Sequence, residues 1–277
     1  MSWTETTRRD HARAGLRYAS DLTDAEWRLV VPLLPERSRW GRPRVVDLRA
    51  VLEALLYMAS TGCQWRALPK DFPPRSTVQG YFYRWQRDRV WQGIADALVG
   101  RARRLAGRGA EPTVGIIDSQ SAQTTESGGP RGLDAAKRVK GRKRHIVTDT
   151  RGNLLAVHVH PANVQDCHGA VPLLTKLRQR FPDLDHILAD RVYRGDQLLR
   201  ALAPTGCWTI EIIQRPPGTK GFQLLPRRWV VERTFAWLGR CRRLAKDFER
   251  TTASAAAWLI LAHIRTLSRR LARMENL

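Results

Sequence analysis

The hydrophobic pattern of this chain changes period near Glu111, and that change constrains its fold more than any other feature. Before it, apolar residues recur three and four apart, as they do on one face of a helix. After it, short apolar runs alternate with helical segments, the pattern of a sheet layered with helices.

In the first part, Thr23 and Glu26 form a capping box ahead of an apolar stripe at Trp27, Val30, Val31 and Leu34. Asp47 is placed to cap a second helix carrying Leu48, Val51, Leu52, Leu55 and Ala59, stopped at Gly62. After Pro73-Pro74, Ser76 or Thr77 is expected to cap a third, with Val78, Tyr81, Phe82 and Trp85 inward. Its opposite side offers Gln79, Tyr83, Arg84, Gln86 and Arg87, and a fourth helix runs from Val90 to Arg104. Four helices with one polar, basic face suggest an all-α, helix-turn-helix type domain, in which Gln79, Tyr83, Arg84 and Arg87 would enter a DNA groove.

The second part opens with a strand, Thr113 to Ile117, ending at Asp118. A Gly-rich stretch then leads to a basic run, Lys137, Arg138, Lys140, Arg142, Lys143 and Arg144, read as a phosphate-contacting segment. His145 to Thr148 and Leu154 to His160 read as a hairpin turning at Arg151-Gly152-Asn153. A helix with Val171, Leu174, Leu177 and Phe181 follows, then a strand from His186 to Ala189 ending at Asp190. A short helix to Ala203, a strand from Trp208 to Ile213 and a Pro- and Gly-rich loop from Pro216 to Gly221 precede two last helical segments, Arg227 to Arg243 and Ala255 to Leu271. The expected organisation is a tail over 1–20, a helical domain over 21–107 and an α/β domain over 111–277.

Charge narrows the partner. The 277 residues carry 48 Lys and Arg against 26 Asp and Glu, a net charge of +22. Such an excess suits a phosphate backbone, where released counterions favour binding. A membrane surface fits less well, because no basic amphipathic helix stands apart and the longest apolar run, Ala255 to Ala262, is too short to span a bilayer. No signal peptide is read at the start, so a soluble bacterial protein of the cytoplasm, associated with the nucleoid, is expected. Cys63, Cys167, Cys207 and Cys241 show no C-x-x-C spacing and are read as reduced thiols.

Asp118 and Asp190 stand at the ends of apolar strands, where open α/β sheets place their ligands. Glu232 lies in a late helix, four residues after Arg228. Three carboxylates converging from two strands and a helix can hold a pair of divalent cations for phosphoryl displacement. A turn-capping role for each Asp, and a solvated ion pair for Glu232, are the alternatives. Three further groups are read as structural: His158 and His160 as a surface pair, Asp149 as a turn residue and Asp166 as a helix N-cap.

Longer motifs then become recognisable: Leu22-Thr23-Asp24-Ala25-Glu26-Trp27, Ile117-Asp118-Ser119-Gln120-Ser121, Gly141-Arg142-Lys143-Arg144-His145-Ile146 and His160-Pro161-Ala162-Asn163-Val164-Gln165-Asp166. The last runs from Leu225-Pro226-Arg227-Arg228-Trp229 through Val230-Val231-Glu232-Arg233 to Thr234-Phe235-Ala236-Trp237-Leu238. In this order they resemble the transposases of the insertion-sequence-five family. The resemblance implies an RNase H-like catalytic domain, a mixed sheet with flanking helices. It places the acidic triad on Asp118, Asp190 and Glu232, and the associated arginine on Arg228. Two magnesium or manganese ions and double-stranded DNA, both element ends and target, are implied as cofactors and partner, with a homodimer or larger assembly joining two ends. Arg228, Arg233 and the basic run would position phosphates. A DNA-binding regulator that no longer cuts is the alternative. The chain departs from its relatives at Arg191-Val192, where small residues are common, and at Leu225, where the wider superfamily has Tyr.

Overall fold

Residues 12–36, 45–214 and 225–275 are described by the computed structural model. The loop from Pro216 to Gly221 and most of the expected 1–20 tail lie outside them. Reciprocal bonds between Thr23 and Glu26 start helix α1 (Asp24–Val30). Asp47 accepts from the Arg49 N–H at 2.8 Å to start α2 (Leu48–Thr61). Gly62, at φ 73°, ends α2 in the left-handed region that glycine enters without a Cβ penalty. Helix α3 (Arg75–Arg87) begins earlier than expected: Pro74 is its N-cap, and neither Ser76 nor Thr77 caps it. Proline fixes the backbone there without a side-chain acceptor. Helix α4 (Val90–Leu105) completes the helical part.

The second part builds β1 (Val114–Gln123), β2 (Gly132–Asp134), β3 (Val139–Thr148), β4 (Leu154–Pro161), α5 (Asp166–Arg180), β5 (His186–Ala189), α6 (Asp196–Leu202) and β6 (Thr209–Ile212), in that order. The last helices are α7 (Pro226–Gly239) and α8 (Thr252–Glu275). The six strands form one mixed sheet in the order β2-β3-β1-β5-β6, with β4 also paired to β3. Helix α5 begins with Gln165 as N-cap and Asp166 inside its first turn, so Asp166 is not the cap.

Strand β1 does not stop before Asp118. It continues to Gln123 because β3 pairs with it antiparallel from Ile116 opposite Thr148 to Gln123 opposite Gly141. This extension, Asp118-Ser119-Gln120-Ser121-Ala122-Gln123, is polar and gives no hydrophobic signal, which is why the residues alone end the strand too soon.

Alternation sorts the sheet's side chains into two layers. Ile117, Val147, Leu155, Val159 and Ile187 belong to the large core with α4, α5 and α8. Ile116, Ile146, Leu154 and Leu188 face the other way, against Val231 and Phe235 of α7. The large core does not end at residue 107. Trp258 of α8 is 1% exposed and stacks on Phe82 of α3, ring centroids 4.5 Å apart. The Arg243 guanidinium covers Trp258 at 4.4 Å. The N-terminal helices thus share one apolar core with the chain's last helix.

Truncating Trp258 to Ala should cost about 3–5 kcal/mol. Because the core is shared, thermal unfolding should shift down as one cooperative transition, followed by helical circular dichroism and by tryptophan fluorescence together. Two separated transitions would show that the N-terminal helices are stable without α8.

Candidate active site

Strands β1 and β5 run parallel, with Val114 beside His186, Gly115 beside Ile187 and Ile116 beside Leu188. Two residues beyond the last pair lie Asp118 and Asp190. Side chains alternate along a strand, so Asp118 shares a face with Ile116 and Asp190 with Leu188, and neighbouring strands are about 4.8 Å apart. The register therefore carries both carboxylates to one level, where β5 ends and β1 continues against β3. Asp190 caps a short 3₁₀ turn, Arg191–Tyr193, and its Oδ1 accepts from the Val192 N–H at 3.0 Å.

Helix α7 crosses the same face. Its Val231 and Phe235 fill the hydrophobic layer below the carboxylates, and Thr234 ties it to the sheet by donating to the Gly152 carbonyl at 3.0 Å. That anchorage leaves Glu232 exposed. One arginine bridges the two elements: Arg228 Nη2 lies 3.4 Å from Glu232 Oε1 and 3.8 Å from Asp190 Oδ2. Trp229, Arg233 and Trp237 form a ladder up α7, with the Arg233 guanidinium 4.7 Å and 4.5 Å from the two rings. Arg233 also donates to the Arg151 carbonyl at 3.0 Å.

Electrostatics single out Asp118. Burial, and after it the neighbouring Asp190 charge, push its carboxyl up to about 6, against the opposing pull of the Ser119 N–H and Arg228. A half-buried carboxylate beside a second one lacks positive charge. Among the described residues, no group of three or more His, Cys, Asp or Glu is yet gathered closely enough to grip an ion. The donors still fit a hard divalent cation: carboxylate oxygens alone, two in register and mutually repelling, with Arg228 supplying part of the missing charge.

The expected DNA contacts divide. Tyr83, Arg84 and Arg87 are exposed on α3, and Gln79 is half-buried. Of the basic run, Lys137, Arg138 and Lys140 are exposed, and the Lys137 Nζ donates to the Ser119 carbonyl at 3.3 Å. Arg142, Lys143 and Arg144 are buried in β3, and their charges answer internal partners. Arg142 pairs with Asp247 at 3.1 Å and donates to the Glu249 carbonyl at 2.8 Å. Arg144 donates to the Leu244 carbonyl at 2.7 Å, and Lys143 pairs with Asp166 at 3.2 Å. In this structure these three hold the segment after α7 and the start of α5 against the sheet, in place of outside phosphates. The reason is that β3 lies inside the sheet, between β1 and its outer neighbours β2 and β4.

Asp149 is structural, as its place in the turn suggests. It is fully buried, accepts from the Arg151 and Asn153 N–H groups at 2.9 Å and pairs with Arg103 at 2.9 Å. The histidines require a correction. His160 is 6% exposed rather than a surface residue, because α5 covers it, and it bonds His145 at 2.7 Å. His145, Tyr193, Ser119 and Asp166 form one cluster that the sequence does not reveal, since they come from β3, the turn after β5, β1 and α5. At Gly169 a Cβ would lie 2.4 Å from His160 Nε2, so only glycine lets α5 approach.

Removing the buried charge at Asp118 should stabilise the protein without metal. Its folded carboxyl titrates above the unfolded value of 3.8, so the charged form destabilises the fold fully above about 6 and ceases to do so below the unfolded value. Asp118→Asn should therefore raise stability in chelator by up to about 3 kcal/mol at neutral pH, with the gain shrinking as pH falls through 6. Urea midpoints at two pH values measure this, and a loss of stability at neutral pH would contradict it.

Comparison with known proteins accords with this geometry. The "Transposase DDE domain" family model matches residues 109–267, which contain all three acids, and a transposase model of the IS4/5 family matches residues 22–95. The chain is 37% identical over 154 residues to a Burkholderia cepacia protein described as a candidate transposase for insertion sequence element IS402, covering 53% of this chain and 70% of that one. It is 30% identical over 78 residues to the uncharacterised protein y4sN of Sinorhizobium fredii, covering 28% of this chain and 59% of that one.

Proposed function

The chain belongs to the family of transposases with a DDE domain, and from that premise we propose that it binds the inverted-repeat ends of an insertion sequence, hydrolyses a phosphodiester there and transfers the freed 3′-hydroxyl to target DNA. The observation that carries this reading is the parallel register that sets Asp118 beside Asp190, with Glu232 and Arg228 on the helix across from them. Its catalytic half would be an RNase H-like domain, and its N-terminal helices would help recognise the ends through Gln79, Tyr83, Arg84 and Arg87.

Asp118 and Asp190 would hold divalent cations, magnesium or manganese, from the sheet side, with Glu232 completing the set from α7. When bound, a pair of such ions polarises the scissile phosphate and eases deprotonation of the attacking oxygen. The protein's own groups do the rest. Arg228 holds Asp190 and Glu232 near one another while the acidic charges are uncompensated, and a turn of its side chain frees both carboxylates. Lys137, Arg138 and Lys140, on the exposed approach to β3, would meet the phosphate backbone and offset its charge. Arg233, half-buried between two indoles, would do the same one residue after Glu232. Joining two ends to one target needs two active sites, so a dimer or larger assembly on DNA belongs to the proposal. No helix among the described residues is long and apolar enough to cross a membrane.

Two experiments test this reading. Glu232→Gln keeps size and helix propensity but removes the ligand charge. Cleavage of a labelled element end in magnesium should fall by orders of magnitude while binding to the same DNA persists. Equal cleavage by the variant would remove Glu232 from the site. Replacing Lys137, Arg138 and Lys140 by Ala should weaken binding to any DNA sequence and flatten its salt dependence, by up to about 0.9 in slope for each phosphate that is no longer neutralised. An unchanged slope would show that these three are solvated.

A further inference from the structure

Behind the carboxylates, on the other face of β1, runs a buried hydrogen-bond chain whose direction follows from its atoms. His160 Nδ1 lies 2.9 Å from the Pro161 carbonyl oxygen. A carbonyl only accepts, so this nitrogen carries the proton. Burial holds both His160 and His145 below the usual imidazole range, which leaves each neutral with a single N–H. His160 Nε2 is then a bare acceptor, and His145 Nδ1, 2.7 Å away, donates to it. That leaves His145 Nε2 without a proton, and the Tyr193 hydroxyl, 2.9 Å away, donates to it. On this assignment the chain runs one way, from Tyr193 through His145 and His160 to the backbone of β4. Asp166 Oδ1 is a second neighbour of His145 Nε2 at 3.4 Å, and Ser119 is a second side-chain partner of Tyr193.

The start of this chain lies three residues after Asp190. The Tyr193 N–H donates to the Asp190 carbonyl at 3.2 Å and closes the 3₁₀ turn that Asp190 caps. Of the three residues in that turn, Tyr193 alone is buried, at 1% exposure; Arg191 and Val192 point outward, with Val192 54% exposed. The departure from the family pattern at Arg191-Val192 therefore leaves the inner face of the turn to Tyr193. Asp190 stands just past the last residue of a four-residue strand, so the turn's one buried side chain is what fixes its far end.

The same cluster reaches Asp118. Ser119, the next residue, donates through Oγ to Asp166 Oδ1 at 2.8 Å, and Asp166 lies 3.4 Å from His145 Nε2 and 3.2 Å from Lys143 Nζ. One buried polar cluster thus grips the backbone beside both acids. It is closed over by Gly169, where any side chain would collide with His145 and His160.

We propose that Tyr193 is a positioning residue: through the directed chain Tyr193–His145–His160 it fixes the turn that presents Asp190 to Asp118, and so sets the affinity of the carboxylate pair for a divalent cation. This rests on the reading of Asp118 and Asp190 as cation ligands. Tyr193 is 1% exposed and would act from behind the carboxylates. Groups that orient metal ligands from behind typically change metal affinity by about ten- to a hundred-fold when removed.

The test is Tyr193→Phe, which deletes one hydroxyl and leaves the ring in place, with His160→Gln as a second variant at the far end of the chain. Manganese binding to the protein without DNA, followed by the loss of free-ion paramagnetic resonance, should weaken about ten-fold in Tyr193→Phe and in the same direction in His160→Gln. The manganese concentration that half-saturates DNA cleavage should rise by the same factor, and excess manganese should restore the rate. DNA affinity measured in chelator should stay within about two-fold of wild type, since it rests on surface charge. Wild-type manganese affinity in a folded Tyr193→Phe would overturn the proposal while leaving the acidic site intact. Failure of the wild type to bind manganese would instead remove the reading beneath it. Loss of folding in both variants would also overturn it, because the chain would then hold the core together rather than tune the carboxylates.

Discussion

The parallel pairing of β1 with β5 is the constraint on which the rest of the structure depends. It brings Asp118 and Asp190 level on neighbouring strands, and both strands are held from several sides. Ile117 and Ile187 are locked into the large core, while Ile116 and Leu188 are locked under α7. The carboxylates cannot drift apart, and burial first, with the neighbouring Asp190 charge after it, raises the pKa of Asp118. The native state is destabilised at one point by a buried charge, which a cation would compensate on the proposed reading.

Basic residues in this chain do two different jobs. Some serve the fold: Arg142, Arg144 and Arg243 are buried and donate to carbonyls or pair with acids, and they bind the irregular segment after α7 to β3 and to Cys63 after α2. Removing any of these would leave buried acceptors unpaired, at a cost on the order of 1–3 kcal/mol each. The others, on α3 and ahead of β3, stay exposed and, on the proposed reading, would meet DNA phosphates.

Most of the secondary structure was legible because its signals were local. The Thr23–Glu26 box, the Asp47 cap, the Gly62 stop and the strand His186–Ala189 were each readable from a few neighbouring residues. Errors arose where a distant partner decided. Strand β1 extends through a polar stretch because β3 lies beside it, and Arg142 is buried because the sheet closes around it. The same holds for the site. Asp118, Asp190 and Glu232 are proposed from strand ends and long motifs, whereas the Tyr193–His145–His160 chain joins three elements with no shared motif. Nothing in the spacing of those residues distinguishes a wired core from a surface pair, and Gly169 stands out from other helical glycines such as Gly80 and Gly93 only in the structure, where a Cβ would strike His145 and His160.

The central claim is that Asp118, Asp190 and Glu232 close around divalent cations on DNA. Anomalous diffraction from crystals of the protein bound to an element end and soaked in manganese tests it most directly. The account predicts two peaks about 3.5–4 Å apart, ligated by these three carboxylates, with the Arg228 guanidinium swung away from Asp190 and Glu232. Peaks absent from this cleft, or an Arg228 still bridging the two acids in the DNA-bound state, would contradict it.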